Sequence, residues 1–208
     1  MMNDIRKASG SRKKSPAKDH LTANDILIAE FNYIAQSAFQ ANEDRARVTN
    51  FFLVTVGSFL AAMLSFQFEG PLDRMIYLGF SILFFVLTIA SVFTLQELSR
   101  LRLAWHESAL AMNQIKEYYQ GHFSGISLQD AFRWSSETLP PKYKPGSISH
   151  LQASQVSFLG GAAFIGAIVF GGLSLNLPLN LGLWIPAILA GVVVFFLLIR
   201  IYKRKLKI

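Results

Sequence analysis

The sequence contains no cysteine, which excludes disulfide bonds, thiolate metal ligands and a cysteine nucleophile. Its histidines are scattered and lack the spacing typical of metal ligands; they are His20, His106, His122 and His150. The glycine-rich phosphate-binding motifs and the serine nucleophile elbow of hydrolases are also absent. We therefore predict no catalytic residue, no metal site and no cofactor, and we expect a protein that is not an enzyme.

Charged residues are missing from four long apolar stretches. These stretches are 51–68, 75–95, 156–175 and 181–201, and the only charge inside them is Arg200, near the end of the fourth. Each is close to the roughly 20 residues that an α-helix needs to cross a hydrocarbon core. The rest of the chain is too short to cover four such segments with protein. The sequence therefore predicts an all-α integral membrane protein with four transmembrane helices arranged as two hairpins.

Basic residues are almost absent from the two short loops that join the predicted spans. Of the 20 Lys and Arg residues only Arg74 lies there, and the others occur in 1–50, in 96–155 and from Arg200 onward. The positive-inside rule then places both termini and the middle segment in the cytoplasm, in a multi-pass protein of the cytoplasmic membrane. The net charge of +7 would face anionic lipid headgroups. We expect no nucleic-acid partner, because the basic N-terminal tail lacks interleaved aromatic residues.

Several basic or aromatic side chains flank the predicted spans and are expected to contact the headgroups. They are Arg45, Arg47, Arg100, Arg102, Trp184, Arg200, Lys203 and Arg204. Long basic side chains can extend to lipid phosphates, and tryptophan prefers the membrane interface.

The segments outside the spans differ in composition. Residues 1–20 are basic and lack apolar periodicity, which predicts a disordered tail. Residues 21–121 are expected to contain the first transmembrane hairpin and two cytoplasmic helices that extend it as a stalk. A short cytoplasmic helix that ends at about Leu139 and a proline-rich connector over 140–146 are predicted within 122–155. The second hairpin then occupies 156–201, and 202–208 is a basic cytoplasmic tail.

Apolar residues with three- and four-residue spacing predict how the two stalk helices pair. The predicted stalk seam consists of Leu27, Phe31, Ile34, Leu98, Leu101, Trp105 and Met112. The two helices are antiparallel and can pair within one chain. A seam of this kind can also pair between subunits, and the spacing does not distinguish the two arrangements.

The third apolar stretch, 156–175, is rich in small residues. It contains five glycines and a row of small side chains four residues apart, Ala163, Ala167 and Gly171. Such rows let helix backbones approach closely in lipid. We therefore predict that this span packs tightly against another helix.

Residues 25–120 combine a cytoplasmic helix ending in NEDRARVTNFF, a transmembrane hairpin and a returning cytoplasmic helix. This layout, with Arg45, Arg47 and the aromatic residues that follow them, resembles the SLATT-type group of bacterial two-transmembrane effector domains. Those domains are associated with nucleotide-second-messenger defence systems. The resemblance implies a membrane-perturbing or pore-forming effector that assembles through its stalk, and it offers no catalytic residue. The second hairpin departs from the two-span pattern.

Three functional hypotheses follow. The first is a non-enzymatic membrane protein that forms a homo-oligomer or docks a cytoplasmic partner through the stalk. The second is an oligomeric pore, whose candidate lining residues are Thr55, Ser58, Ser65, Ser81, Thr88 and Ser91. Such side chains more often bond to the backbone of their own helix. The third, an integral-membrane enzyme, would use the polar residues at the cytoplasmic boundary, namely Glu43, Asp44, Arg45, Arg47, Glu97, Arg100 and Arg102. We expect the first.

Overall fold

The structure is a computed structural model that describes residues 22–65, 74–122 and 135–207. Within these ranges the only regular secondary structure is helical, and it consists of α1 (Ala23–Ser65), α2 (Arg74–His122), α3 (Ile148–Ser174) and α4 (Leu181–Lys207). Each helix contains an uncharged or nearly uncharged stretch that is long and apolar enough to cross a membrane. The all-helical class and the four apolar helices are thus confirmed. The predicted disordered tail and the end of the first predicted span lie outside the described residues.

Helices α1 and α2 are much longer than a bilayer is thick. With 43 and 49 residues, they extend about 65 and 75 Å at 1.5 Å per residue. The start of α1 is fixed by a capping box in which the Asp25 amide donates to Thr22 Oγ1 and the Asp25 carboxylate accepts from the Thr22 amide. The Thr22 hydroxyl also donates to the carboxylate, and this bond, together with the one from the Thr22 amide, lowers the pKa of Asp25. Both helices therefore extend well beyond their apolar stretches.

Helices α1 and α2 contact each other near both ends, which makes them antiparallel. The Tyr119 hydroxyl donates to the side chain of Asn24, and the Phe59 ring meets the Phe84 ring edge-on at 5.3 Å. Of the seven residues of the predicted stalk seam, Leu98 is fully buried, while Leu27, Phe31, Ile34, Leu101, Trp105 and Met112 are half-buried. Three small residues along the same contact are buried: Ala38, Ala41 and Ala109. Small side chains allow the two backbones to approach closely, so the longer seam residues lie at the margins of the contact.

Helices α2 and α3 form the centre of the molecule. Leu95 of α2 and Val156 of α3 are completely buried, and the Phe84 ring stacks on Phe170 at 5.6 Å. Helix α1 packs mainly on α2, and α4 packs mainly on α3. The Ser81 hydroxyl donates to the Ala167 carbonyl at 2.8 Å, which gives α2 and α3 a hydrogen bond between apolar stretches.

Small residues of α3 face two different neighbours. Ala163 and Ala167 are buried and Gly171 is half-buried, and a Cβ built on Gly171 would lie 3.1 Å from Ser81 Oγ. The small-residue row predicted from the sequence therefore lies along α2. On the face towards α4, a Cβ on Gly161 would lie 2.8 Å from the Gly191 carbonyl oxygen. The α3–α4 contact is thus close enough to bring one backbone against the other.

The connector before α3 differs from the prediction. Residues 136–138 form a turn, in which Ser135 and Thr138 side chains bond to each other's amides, so the predicted short helix does not extend to Leu139. Helix α3 begins at Ile148, shortly after the predicted connector and well before the predicted span, because the Ser147 hydroxyl caps it by accepting from the His150 amide. Consequently α3 extends two turns beyond its apolar stretch.

The turn between α3 and α4 is closed by backbone hydrogen bonds. The amides of Asn176 and Leu177 donate to the carbonyls of Leu173 and Gly172, the pattern of a Schellman motif. Asn176 has a φ of 59°, a left-handed conformation that asparagine tolerates better than most residues. The chain can therefore reverse within a few residues.

Candidate functional site

One side chain from each helix enters a buried polar cluster just beyond the apolar stretches. The members are Arg45 of α1, Arg102 of α2, Ser149 of α3 and Tyr202 of α4, and none is more than 8% exposed. We call this group the four-helix cluster. Each member lies within about two helical turns of the nearest predicted span.

Arg45 connects α1 to α3. Its Nη1 donates to Ser149 Oγ at 2.6 Å, and its Nη2 donates to Asn42 Oδ1 at 2.8 Å. Its Nε is buried and has no hydrogen-bond partner in the described part of the chain. Arg45 thus makes a long-range contact, although one of its donors is unsatisfied.

Arg102 connects α2 to the connector. Its Nε donates to the Lys142 carbonyl at 3.0 Å and its Nη2 donates to the Pro141 carbonyl at 3.1 Å. The guanidinium carbon lies 4.4 Å from the centre of the Trp105 ring, within the range of a cation–π contact. Arg102 therefore fixes the position of residues 141–142 against α2.

The four-helix cluster has an unbalanced positive charge. Over residues 22–65, 74–122 and 135–207 the only ion pair joins Arg47 to Asp44, and both side chains are partly open to solvent. Burial is the main cause that lowers the pKa of Arg45, and it lowers the pKa of Arg102 together with the charge of Arg45. Both guanidinium groups nevertheless stay protonated in a protein at neutral pH.

Tyr202 stays neutral and supplies a hydroxyl to the four-helix cluster. Burial raises the pKa of Tyr202, and the charges of Arg102 and Arg45 only partly counteract this effect. Its hydroxyl interacts with the Ser149 hydroxyl. The cluster therefore joins all four helices while carrying two positive charges and no negative one.

The sequence predicts contact with headgroups for eight residues, and the structure buries two of them. Arg45 and Arg102 lie inside the four-helix cluster. The prediction that they contact lipid phosphates is therefore wrong for these two residues. The other six are exposed: Arg47, Arg100, Trp184, Arg200, Lys203 and Arg204. The physical reason is the early start of α3 and the path of residues 141–142, which together cover the inner faces of α1 and α2.

Next to the four-helix cluster lies a polar cavity of about 390 Å³. It lies between α2, the connector and α4, and its lining contains the basic side chains of Arg100, Lys142 and Lys205 and the carboxylate of Glu107. None of these four residues forms an ion pair with another described residue. We call this space the basic cavity.

A second cavity lies among the apolar stretches and has a volume of about 510 Å³. Its wall is almost entirely apolar and includes Val56, Phe84, Leu159 and Gly166. Trp184, which the sequence predicts as an interfacial anchor, also lines it and is 40% exposed. No group in this wall suggests acid–base or metal chemistry.

The candidate pore-lining residues mostly bond to helix backbones. Thr55, Ser65, Thr88 and Ser91 donate to carbonyls of their own helices, and Ser81 donates to α3. Their hydroxyls are therefore satisfied within one chain.

The predicted enzyme constellation is dispersed. Glu43 and Glu97 are exposed, whereas Arg45 and Arg102 are buried and hydrogen-bonded. Among the described residues, no group of three or more His, Asp or Glu side chains is arranged to hold a metal ion.

Four helices that can span a bilayer place this chain in the class of multi-pass membrane proteins. Comparisons with protein-family models, with curated proteins and with solved structures find no match. The resemblance of residues 25–120 to SLATT-type domains accordingly stays a prediction.

Proposed function

We propose that this chain is a non-enzymatic protein of the cytoplasmic membrane that self-associates through a cytoplasmic helical stalk. In this arrangement α1 with α2, and α3 with α4, form two transmembrane hairpins, and both termini are cytoplasmic. The polar halves of α1 and α2 continue from the first hairpin as the stalk. The distribution of basic residues supports this orientation, because all of them except Arg74 lie on the side assigned to the cytoplasm.

The observation that carries the proposal is a set of large apolar side chains left uncovered on the polar half of α1. Ile26, Ile28, Tyr33 and Phe39 are each at least 50% exposed. They lie on both flanks of the face that packs against α2, since a helix advances 100° per residue. The apolar stripe of α1 is therefore wider than one partner helix covers.

These side chains cannot be explained by contact with the hydrocarbon core. The same segment contains Asp25, Glu30 and Glu43, which are exposed and would be costly in lipid. In water, contiguous apolar surface usually marks an interaction site. Burying a large aliphatic or aromatic side chain contributes about 1.5–3 kcal/mol when the burial is complete.

A second copy of the chain is the occupant that fits this surface. Both flanks carry apolar residues, so two antiparallel helix pairs can meet around a two-fold axis and form a four-helix bundle. The opposite face, with Ala29, Gln36 and Glu43, is exposed and carries no large apolar side chain. A pore is less well supported, because most candidate lining hydroxyls already bond to backbone carbonyls.

The test compares two double substitutions that add the same charge. Tyr33→Glu with Phe39→Glu places two carboxylates on the apolar flanks, whereas Ala29→Glu with Gln36→Glu places them on the opposite face. Native mass spectrometry and light scattering in detergent measure the oligomeric state. Because the chain has no cysteine, Ile28→Cys provides a unique site for disulfide crosslinking in membranes.

We expect an oligomer for the unmodified chain and for the Ala29/Gln36 control, and a monomer for the Tyr33/Phe39 variant. A crosslinked dimer at Ile28→Cys is expected in native membranes. A strictly monomeric chain would contradict self-association. If the unmodified chain were monomeric but purified with a cytoplasmic protein, and the Tyr33/Phe39 variant did not, the stalk would instead dock a partner.

A further inference from the structure

We propose that the basic cavity binds the phosphate group of an anionic membrane lipid. The cavity is lined on α2 by Gln96, Ser99, Arg100, Leu103 and Glu107, on the connector by Lys142 and on α4 by Lys205. This inference rests on the membrane placement proposed above, but it does not depend on self-association of the stalk.

The end of the cavity nearest the apolar stretches matches the headgroup layer, and the cavity extends from there along α2 to Glu107. Gln96 directly follows the predicted span 75–95, and Lys205 lies four residues beyond the end of 181–201. At 1.5 Å per residue both are within about 6 Å of the hydrocarbon boundary. The polar layer on each side of a bilayer is of the order of 5–8 Å thick, so a lipid phosphate lies at this level.

The charge of the cavity favours an anion. Arg100, Lys142 and Lys205 supply three positive charges against the single carboxylate of Glu107. In the described residues none of the three basic side chains forms an ion pair. Concave walls concentrate the field of such charges, and basic pockets between transmembrane helices on the cytoplasmic side are typical binding places for anionic headgroups.

The cavity is held open by a buried contact and not only by surface side chains. Arg102, which is 7% exposed, bonds to the carbonyls of Pro141 and Lys142 and so fixes the backbone that carries the Lys142 side chain. From the other side, Lys203 Nζ lies 5.0 Å from the centre of the Tyr143 ring. Arg102 is therefore a positioning residue for the cavity, and α2 and α4 both hold the connector.

The neighbouring residues favour a lipid over a soluble phosphate compound. One helical turn towards the membrane centre from Gln96 and Lys205, the same helix faces carry Val92 and Ile201, which are half-buried. An acyl chain could lie along this apolar surface while its phosphate occupies the cavity. A soluble phosphate compound would contact only the polar lining of the cavity and not this apolar surface.

The binding test uses the full chain in a mild detergent and measures retained lipid by native mass spectrometry. The probes are phosphatidylglycerol, phosphatidylcholine and inorganic phosphate, each titrated separately. The test variant is Arg100→Gln with Lys205→Gln, and the matched control is Arg204→Gln with Lys207→Gln. All four residues are exposed, and each double substitution removes two positive charges from the same end of the molecule. Thermal unfolding without lipid checks that both variants are folded.

We expect the unmodified chain to retain phosphatidylglycerol in preference to phosphatidylcholine. Each basic residue near an anionic surface contributes about 1 kcal/mol, so removing two from the cavity should weaken phosphatidylglycerol binding about 30-fold. The control should weaken it less than 5-fold. An Arg102→Gln variant retains Arg100, Lys142 and Lys205. It should nevertheless lose the preference for phosphatidylglycerol, because the backbone that carries Lys142 is no longer fixed.

Three outcomes would overturn the proposal. Equal weakening by the cavity and control variants would mean that the whole basic surface attracts lipid without a site. Equal retention of phosphatidylcholine would exclude recognition of net charge. Retention of inorganic phosphate as strong as that of phosphatidylglycerol would replace the lipid with a soluble phosphate. A monomeric protein that retained phosphatidylglycerol would contradict the proposed self-association alone.

Discussion

Arg45 and Ser149 are 104 residues apart in the chain, yet Arg45 Nη1 donates a 2.6 Å hydrogen bond to Ser149 Oγ in the interior of the molecule. This contact joins the first and third helices just beyond their apolar stretches. It is unusual because the buried guanidinium has no carboxylate near it in the described ranges. The Ser149 hydroxyl is therefore one of the few groups that offset the desolvation of Arg45.

Replacing Ser149 by Ala should destabilise the protein by about 1.5–3 kcal/mol, because a hydrogen bond to a buried charged donor would be lost. Ser154→Ala is the control, since its hydroxyl donates only to the His150 carbonyl of its own helix and should cost far less. Thermal unfolding in detergent measures the difference. Combining Ser149→Ala with Arg45→Met should remove most of the penalty, because no buried cation then lacks its acceptor. Equal melting temperatures for the two alanine variants would contradict this account.

Replacing Gly161 by Ala should separate α3 from α4. The new Cβ would lie 2.8 Å from the Gly191 carbonyl oxygen and 3.3 Å from Phe195 Cβ, and a backbone atom cannot rotate away. Overpacking of this kind costs about 1–3 kcal/mol. Gly57→Ala is the matched control, because no atom lies within 4 Å of the added group and alanine favours the helix. We expect a lower melting temperature for Gly161→Ala and an unchanged or slightly higher one for Gly57→Ala.

His106 should make the stability sensitive to mild acid. Burial, followed by the charges of Arg102 and Lys142, lowers the pKa of His106, and Glu107 only partly counteracts them. In the unfolded chain His106 therefore becomes protonated near pH 6.5, whereas in the folded chain it becomes protonated only at a lower pH. This contribution to stability is complete above pH 6.5 and is lost progressively below it.

The measurement for His106 is thermal unfolding at pH 7.5 and 5.5, with His106→Gln as the comparison. The unmodified chain should lose more stability than the variant between these two pH values. Parallel losses would mean that His106 has no part in the acid sensitivity. Glutamine retains a donor for the Pro140 carbonyl, which contacts His106 in the folded protein.

The proposed orientation predicts the accessibility of two single-cysteine variants. Leu177→Cys lies in the turn between α3 and α4, and Gly121→Cys lies at the end of α2, where an added Cβ meets no atom within 4 Å. A membrane-impermeant maleimide should label Leu177→Cys in intact cells, and Gly121→Cys only after permeabilisation. Labelling of Leu177→Cys only after permeabilisation would contradict the topology.

Much of the architecture follows from local properties of the chain. The lack of charge in four long stretches suffices to predict four apolar helices, because helix length and side-chain polarity act on each segment separately. The capping residues Thr22 and Asp25 likewise mark the start of α1 within a few positions. The three- and four-residue spacing of apolar residues on α1 also runs through Ala38 and Ala41, which are buried, whereas the buried Ala109 of α2 lies outside the predicted seam.

Which arginine side chains are buried could not be predicted in this way. Arg45 and Arg47 are two residues apart and look equivalent beside a span, yet Arg45 is buried and Arg47 is exposed with Asp44 as its partner. Their side chains lie on opposite faces of α1, and only the face towards α2 and α3 is covered. The sequence alone determines that the chain is helical, apolar in four places and basic beside them. The tertiary structure alone decides which charged side chains are buried away from water, because burial depends on segments that are distant along the chain.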